Sequence, residues 1–135
     1  MNKRQKVIIS KIIMFIIRSG KKIKACKVFR EAMVLLAKNN PKESPYTILE
    51  KAVRNLTPVL GTHKLFVSGK RISLFSVSTP KQLDALGIKW LVKQCVKNRK
   101  CSFSENLAFE IWNASNRKGF AYQIKIKFYK KNILI

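Results

Sequence analysis

Lysines at helical spacing are the residues of this sequence most suited to chemistry, and that chemistry is the neutralisation of phosphate. Lys89, Lys93 and Lys97 follow one another every four residues and therefore share one face of a predicted helix. Like charges at this spacing cost roughly 0.2–0.5 kcal/mol per pair. A face that only kept the helix in water would intersperse glutamates, and this segment has none. The row favours contact with phosphates over the alternative of a solvated helix face.

Other basic residues occur where a nucleic-acid surface could be built. One group begins the second predicted helix, another surrounds a predicted turn at Ser68-Gly69, and others lie near the amino terminus and after the fifth helix. The residues predicted to contact a nucleic acid are Lys3, Arg4, Lys21, Lys22, Lys24, Lys27, Lys64, Lys70, Arg71, Lys89, Lys93, Lys97, Arg117 and Lys118.

The overall charge also indicates an anionic partner. The 135 residues include 29 Lys and Arg against 6 acids, a formal net charge of +23. A small globule with this charge repels itself, and solubility needs a net charge of only about 2 to 8. Nucleic acid is the first candidate partner and an anionic membrane surface the second. Because 47% of the residues are hydrophobic, the chain can build a core, and its length fits one domain, residues 1–135.

Catalysis finds little support in the sequence. His63 is the single histidine and Asp84 the single aspartate. Glu105 and Glu110 lie five residues apart on a predicted helix, so they do not share a face. The sequence contains neither a glycine-rich phosphate loop nor a G-x-S-x-G elbow. We expect no catalytic residues and no enzymatic activity.

A metal or disulfide site is not expected either. Cys26, Cys95 and Cys101 are odd in number and form no CxxC pair. They are best interpreted as unpaired thiols in a reducing compartment. No metal and no cofactor is predicted.

Periodicity and turn residues predict a mainly α fold, a single helical domain of about five helices with a protruding two-stranded β-ribbon. The predicted helices are about 7–19, 21–38, 45–57, 80–99 and 103–117, the ribbon about 59–78, and the tail 119–135. The first helix is apolar on nearly every face and should be buried. Trp90 and Trp112 fall on predicted core faces, and residues 124–128 alternate as in a strand.

Several motifs resemble one protein family. Their residues are Gly20-Lys21-Lys22 with Val28-Phe29 and Ala32, Val53-Arg54 with Pro58, the turn Ser68-Gly69, Leu86 with Lys89-Trp90-Leu91, and Asn116 to Ala121. In this order they resemble the small-subunit ribosomal protein S-seven family over residues 6–121. The chain departs from the family in its short basic arm before Val7, in Gln82-Leu83 where the family has paired arginines, and in residues 72–75 and 119–135.

The resemblance implies a partner and a place. It implies a domain that binds the 3′ major domain of small-subunit rRNA and initiates folding of the subunit's head. The ribbon would lie near the exit-site tRNA and the mRNA exit path. The implied partners are this rRNA, neighbouring small-subunit proteins including the eleventh, and transiently tRNA and mRNA, with no membrane.

Compartment and rival functions stay open at this point. Frequent Lys, Ile, Asn and Phe indicate an AT-rich gene, which with the trimmed ends favours the mitochondrial matrix, the alternatives being a plastid or the cytoplasm of an AT-rich bacterium. A DNA-binding architectural or transcription protein is the first rival, although no clear recognition helix stands out. A membrane-active basic protein is the second, and it rests on the apolar run from Val7 to Ile17.

Overall fold

The fold is mainly helical, as predicted. The computed structural model describes residues 3–17, 20–76, 79–98 and 101–133, without the side chains of 62–67, 71–76 and 132–133. The elements are α1 (Lys3–Ile16), α2 (Lys22–Asn39), α3 (Pro45–Leu56), β1 (Gly61–Val67), β2 (Lys70–Ser76), α4 (Pro80–Lys97), α5 (Phe103–Ser115) and α6 (Phe120–Ile133). The described part of the chain therefore has six helices, one more than the sequence analysis predicted. No described helix is both long and apolar enough to cross a membrane.

The core forms around α5, which packs against α2, α3, α4 and α6. α2 has one inward face, on which Ala25, Phe29, Ala32, Met33 and Leu36 are all buried. On α3 the inward face includes the buried Leu49 and Leu56, while Tyr46 is half-buried. These residues recur at three- and four-residue steps, so each helix presents one apolar stripe to the others.

Capping residues set the helix starts. The Thr79 hydroxyl accepts the backbone N–H of Gln82, whose side chain accepts the N–H of Thr79, so a capping box opens α4. At α5, the Ser102 hydroxyl accepts the N–H of Glu105. Ser44 occupies the N-cap of α3 without a capping bond from its side chain, and Pro45 takes the first helical position.

Two strands follow α3. β1 pairs with β2 in antiparallel register, with Leu65 opposite Ile72 and Val67 opposite Lys70. The turn between them lies at the predicted Ser68-Gly69, where φ is 52° and 77°. Two successive positive φ values are typical of the hairpin turn whose twist matches that of the strands, which explains the glycine.

The carboxyl-terminal tail differs from the prediction. Residues 124–128 belong to α6, and the expectation of a strand was wrong. Ala121, Tyr122, Lys125, Phe128 and Tyr129 form its covered face, Ala121 fully and the others partly. These positions follow a period of 3.6 residues. The alternation of five residues was too short to separate the two periods.

Three further expectations about burial were wrong. α1 is buried on one side only, at Ile8 and Ile12, whereas Met14 is 67% exposed. Trp112 is exposed, and Trp90 is only half-buried, with its ring centroid 5.2 Å from that of Phe128 in α6. Counting apolar residues around α1 could not show how many neighbours it would meet.

Candidate nucleic-acid interface

The lysine row of α4 is presented to solvent as one face. Lys89, Lys93 and Lys97 are all exposed, while Leu91 and Cys95 on the other side of the helix are buried. At four-residue spacing, consecutive lysines stand roughly 6 Å apart along the helix axis. This separation matches that of phosphates along a nucleic-acid strand closely enough for each amine to approach a separate phosphate.

The lysines at the start of α2 lie close to the end of α4. Lys21, Lys22, Lys24 and Lys27 are exposed. Lys21 and Lys24 line a groove together with Val96 and Asn98, which end α4. The structure therefore places Lys21 and Lys24 on the wall of a groove whose other wall is the end of α4, about 70 residues away in sequence.

The other predicted residues are more scattered. Lys70 is exposed beside the hairpin turn, and Arg117 and Lys118 are exposed after α5. Lys64 and Arg71 pair in the sheet with Ser73 and Phe66, but their side chains fall outside the described part. Lys3 is exposed on the first turn of α1.

Arg4 has protein partners. Its Nε lies 3.7 Å from Oε1 of Glu50 in α3, and its Nη2 lies 4.0 Å from Oδ1 of Asp84 in α4. Glu50 also pairs with Arg54 at 3.5 Å. Arg4 thus connects α1 to two other helices, a structural task that the sequence analysis did not foresee.

Three basic residues of α6 are exposed but are not among the residues predicted to contact a nucleic acid. Lys127, Lys130 and Lys131 are exposed on this helix. Lys125 instead turns inward, and its Nζ donates a hydrogen bond of 2.7 Å to the carbonyl oxygen of Asn55. Burial, and secondarily the nearby Arg117, lower the pKa of Lys125. The helical spacing of aromatic residues could have revealed this helix.

A network of polar contacts fixes the segment from which the hairpin leaves. The Asn55 amide donates to the carbonyls of Ala114 and Ser115, each at 3.0 Å. Thr57 Oγ1 lies 2.9 Å from Asp84 Oδ1. The backbone N–H of Val59 donates to the Tyr129 hydroxyl at 2.7 Å. The hairpin therefore starts from a segment tied to α4, α5 and α6.

The described residues offer no cluster of three His, Cys, Asp or Glu side chains that could hold a metal ion. Cys95 is buried, and burial raises the pKa of its thiol well above the ordinary value. Glu110 is also buried, which raises its pKa despite the hydrogen bond from the Ala121 backbone. Both side chains are buried among the packed helices.

Comparison with known proteins identifies a family and several relatives to which this chain is similar. The family described as ribosomal protein S7p/S5e matches residues 1–131. The small ribosomal subunit protein uS7c of Prototheca wickerhamii is 30% identical over 119 residues, which cover 88% of this chain and 76% of that protein. The uS7 protein of Dictyoglomus turgidum is 30% identical over 124 residues, 92% of this chain and 79% of that one.

A further bacterial relative is similar over a comparable share of the chain. The uS7 protein of Symbiobacterium thermophilum is 31% identical over 123 residues, which cover 91% of this chain and 78% of that protein. The similarity thus extends over most of each chain, from α1 to α6. The chain belongs to the ribosomal protein S7p/S5e family, a family of structural, non-enzymatic ribosomal components.

Proposed function

We propose that this chain is a structural protein of the small ribosomal subunit that binds the 3′ major domain of small-subunit rRNA and organises the subunit's head. The observation that carries the proposal is the exposed row of Lys89, Lys93 and Lys97 on α4. Relatives across most of the chain are named small ribosomal subunit proteins, and the net charge of +23 suits a dense RNA environment.

The mechanism is neutralisation of converging phosphates. Each lysine that meets a phosphate releases a condensed counterion, which makes binding favourable at low salt and weaker as salt rises. Because α2 and α4 both pack on α5, their backbones carry the two groups of lysines at a fixed relative position, while the flexible side chains can adjust to the phosphates. RNA helices that repel each other could then pack on either side of this surface.

The hairpin supplies a second contact in this proposal. Lys70 lies exposed at its turn, next to the chain reversal at Gly69. The proposal places the hairpin near the exit-site tRNA and the mRNA exit path, beside the eleventh small-subunit protein. The polar network at Val59 and Asn55 would hold the hairpin at a defined angle to the helical RNA-binding surface.

The proposed residence is the mitochondrial ribosome of the matrix. An AT-rich amino-acid usage favours an organellar genome, and one relative is the uS7c protein of Prototheca wickerhamii. The proposed alternatives are a plastid and the cytoplasm of an AT-rich bacterium. Fractionation of ribosomes from each compartment, followed by detection of this chain, decides between them.

A charge-matched pair of variants tests the RNA-binding surface. In the first, Lys89, Lys93 and Lys97 all become Gln. In the second, the exposed Lys38, Lys42 and Lys51 become Gln, which removes the same charge elsewhere. If each α4 lysine contacts a phosphate, the plot of log affinity against log salt becomes shallower in the first variant, and the magnitude of its slope decreases by about 2 to 3. The control should change it by less than 1, and equal changes would refute the α4 surface.

A further inference from the structure

A groove between α2 and α5 carries two exposed aromatic side chains. Phe109 is 60% exposed and Trp112 is 37% exposed. They stand one turn apart on α5, and Leu35 of α2 also lines the groove. We call this surface the α2–α5 groove, and its described lining is Leu35, Leu36, Asn39, Asn40, Asn98, Cys101, Glu105, Asn106, Ala108, Phe109 and Trp112.

The charge of the α2–α5 groove differs from that of the chain as a whole. Lys and Arg make up 29 of the 135 residues, yet none is found among the described residues that line this groove. Glu105 contributes an exposed carboxyl group instead. A second acid, Glu31 of α2, accepts a hydrogen bond of 3.1 Å from Ser104, the neighbour of Glu105. Among the described residues of the lining, the one charged group is the Glu105 carboxylate, which would repel an RNA phosphate.

The same lining suits a protein segment. Aromatic residues are enriched in the centres of protein interfaces, where a few of them supply most of the binding energy. The Asn106 amide donates to the carbonyls of Asn98 at 2.7 Å and Cys101 at 3.3 Å, which fixes that wall of the groove. Asn39 and Asn40 supply amides that could bond to a peptide backbone.

We propose that the α2–α5 groove binds a segment of a neighbouring ribosomal protein that is rich in lysine or arginine and inserts an apolar side chain between Trp112 and Leu35. The Glu105 carboxylate attracts the positive charge of this segment, and Phe109 and Trp112 contact its apolar anchor. The inference rests on the proposed function, because it requires that the chain sit in an assembled subunit. It assigns the exposed lysines to RNA and the aromatic groove with Glu105 to protein.

Site-specific photocrosslinking tests the groove. A benzophenone-bearing phenylalanine is placed at position 109 in one variant and at position 93 in a matched control, and small subunits that contain each chain are irradiated. Position 109 should crosslink to another ribosomal protein within a segment rich in Lys and Arg. Crosslinks from position 109 to rRNA, only within the same chain, or to nothing would overturn the groove proposal.

The control separates the two proposals. Position 93 lies on the exposed lysine row of α4 and should crosslink to rRNA. If position 93 fails to reach rRNA, the proposed function loses support whatever position 109 reports. If position 93 succeeds and position 109 fails, only the groove proposal falls.

Charge reversal gives a second readout. E105K should lower the crosslink yield from position 109 at least fivefold, because the partner segment is expected to be positive. E43K, a reversal at another exposed glutamate, should leave the yield within twofold. In the double variant F109S and W112S, affinity for the rRNA fragment should also stay within twofold. A tenfold loss of rRNA affinity, or an equal effect of E105K and E43K, would contradict the proposal.

Discussion

The hydroxyl of Tyr129 accepts a hydrogen bond of 2.7 Å from the backbone N–H of Val59, across 70 residues of sequence. Val59 lies between the fully buried Pro58 and the buried Gly61, where β1 begins. Together with the contacts of Asn55 and Thr57, this bond from α6 helps to hold the segment from which the hairpin leaves the helical body. The angle of the hairpin to the lysine faces depends on α6.

The first prediction concerns this hydrogen bond. Y129F removes the acceptor, and a typical hydrogen bond contributes about 0.5–1.5 kcal/mol. We expect faster exchange of the Val59 amide and an RNA affinity about 2- to 10-fold lower, corresponding to the same energy. Hydrogen exchange by NMR and a binding titration measure the two effects.

A neighbouring tyrosine provides the control. Tyr122 lies on the same helix, and the Lys125 amine lies 5.8 Å from its ring and 5.9 Å from the ring of Tyr129. Y122F should therefore leave both Val59 exchange and RNA affinity unchanged within twofold. Equal effects of Y129F and Y122F would show that the hydroxyl of Tyr129 does not position the hairpin.

The second prediction concerns the hairpin turn. Changing Lys70 and Arg71 to Glu should weaken binding to the rRNA fragment by at least tenfold, because two phosphate contacts would become repulsive. The same change at the exposed Lys38 and Lys42 alters the net charge equally. Titrations of both variants at one salt concentration compare them. Indistinguishable losses would remove the hairpin from the proposed interface.

The third prediction concerns pH. The folded protein holds the proton of Glu110 more tightly than the unfolded chain, because burial raises its pKa above the ordinary value of 4.5. The contribution of Glu110 to the free energy of unfolding therefore falls as pH rises from 4.5 through the raised pKa. The glutamine of E110Q carries no charge at any pH. The free energy of unfolding of E110Q should therefore fall less than that of the unchanged protein over this pH range.

Thermal unfolding of matched variants measures this effect. E105Q serves as the control, because Glu105 is exposed on the same helix. The difference in melting temperature between E110Q and the unchanged protein should grow in favour of E110Q as pH rises from 4.5 towards neutrality. A constant difference across the range would mean that Glu110 does not titrate in this window.

The fourth prediction concerns the contact between α3 and α4. A Cβ at Gly87 would lie 3.1 Å from the backbone carbon of Leu56 and 3.2 Å from the nitrogen of Thr57. Alanine would gain about 1 kcal/mol of helix propensity but would force two backbones apart, at a cost of about 1–3 kcal/mol. We expect G87A to be less stable by about 1 kcal/mol in chemical unfolding. Increased stability would refute the close packing.

The helical core could be predicted from the sequence wherever apolar residues repeat over several helical turns. In α2 the apolar residues that repeat at three- and four-residue steps from Ala25 to Leu36 are buried. The capping box at Thr79 and the turn at Ser68-Gly69 were predictable as well, because local hydrogen bonds and backbone angles determine them.

Features that depend on tertiary neighbours could not be predicted in this way. The sequence does not show that Trp112 is exposed or that Arg4 forms ion pairs with Glu50 and Asp84, because both features depend on which helices are neighbours. The exposure of the candidate lysines agrees with the proposed interface, but their contact with RNA stays a prediction. α6 was missed because its polar and apolar residues alternate over 124–128.

The most direct test of the central claim is a salt-series titration of this chain against the 3′ major domain fragment of small-subunit rRNA, with an unrelated folded RNA of equal length as the control. Charge attraction weakens for both RNAs as salt rises, whereas specific contacts remain. The proposed function predicts that the rRNA fragment binds at least about a hundredfold more tightly and keeps this preference at high salt. Equal affinities that fall together would contradict a specific role in the small subunit.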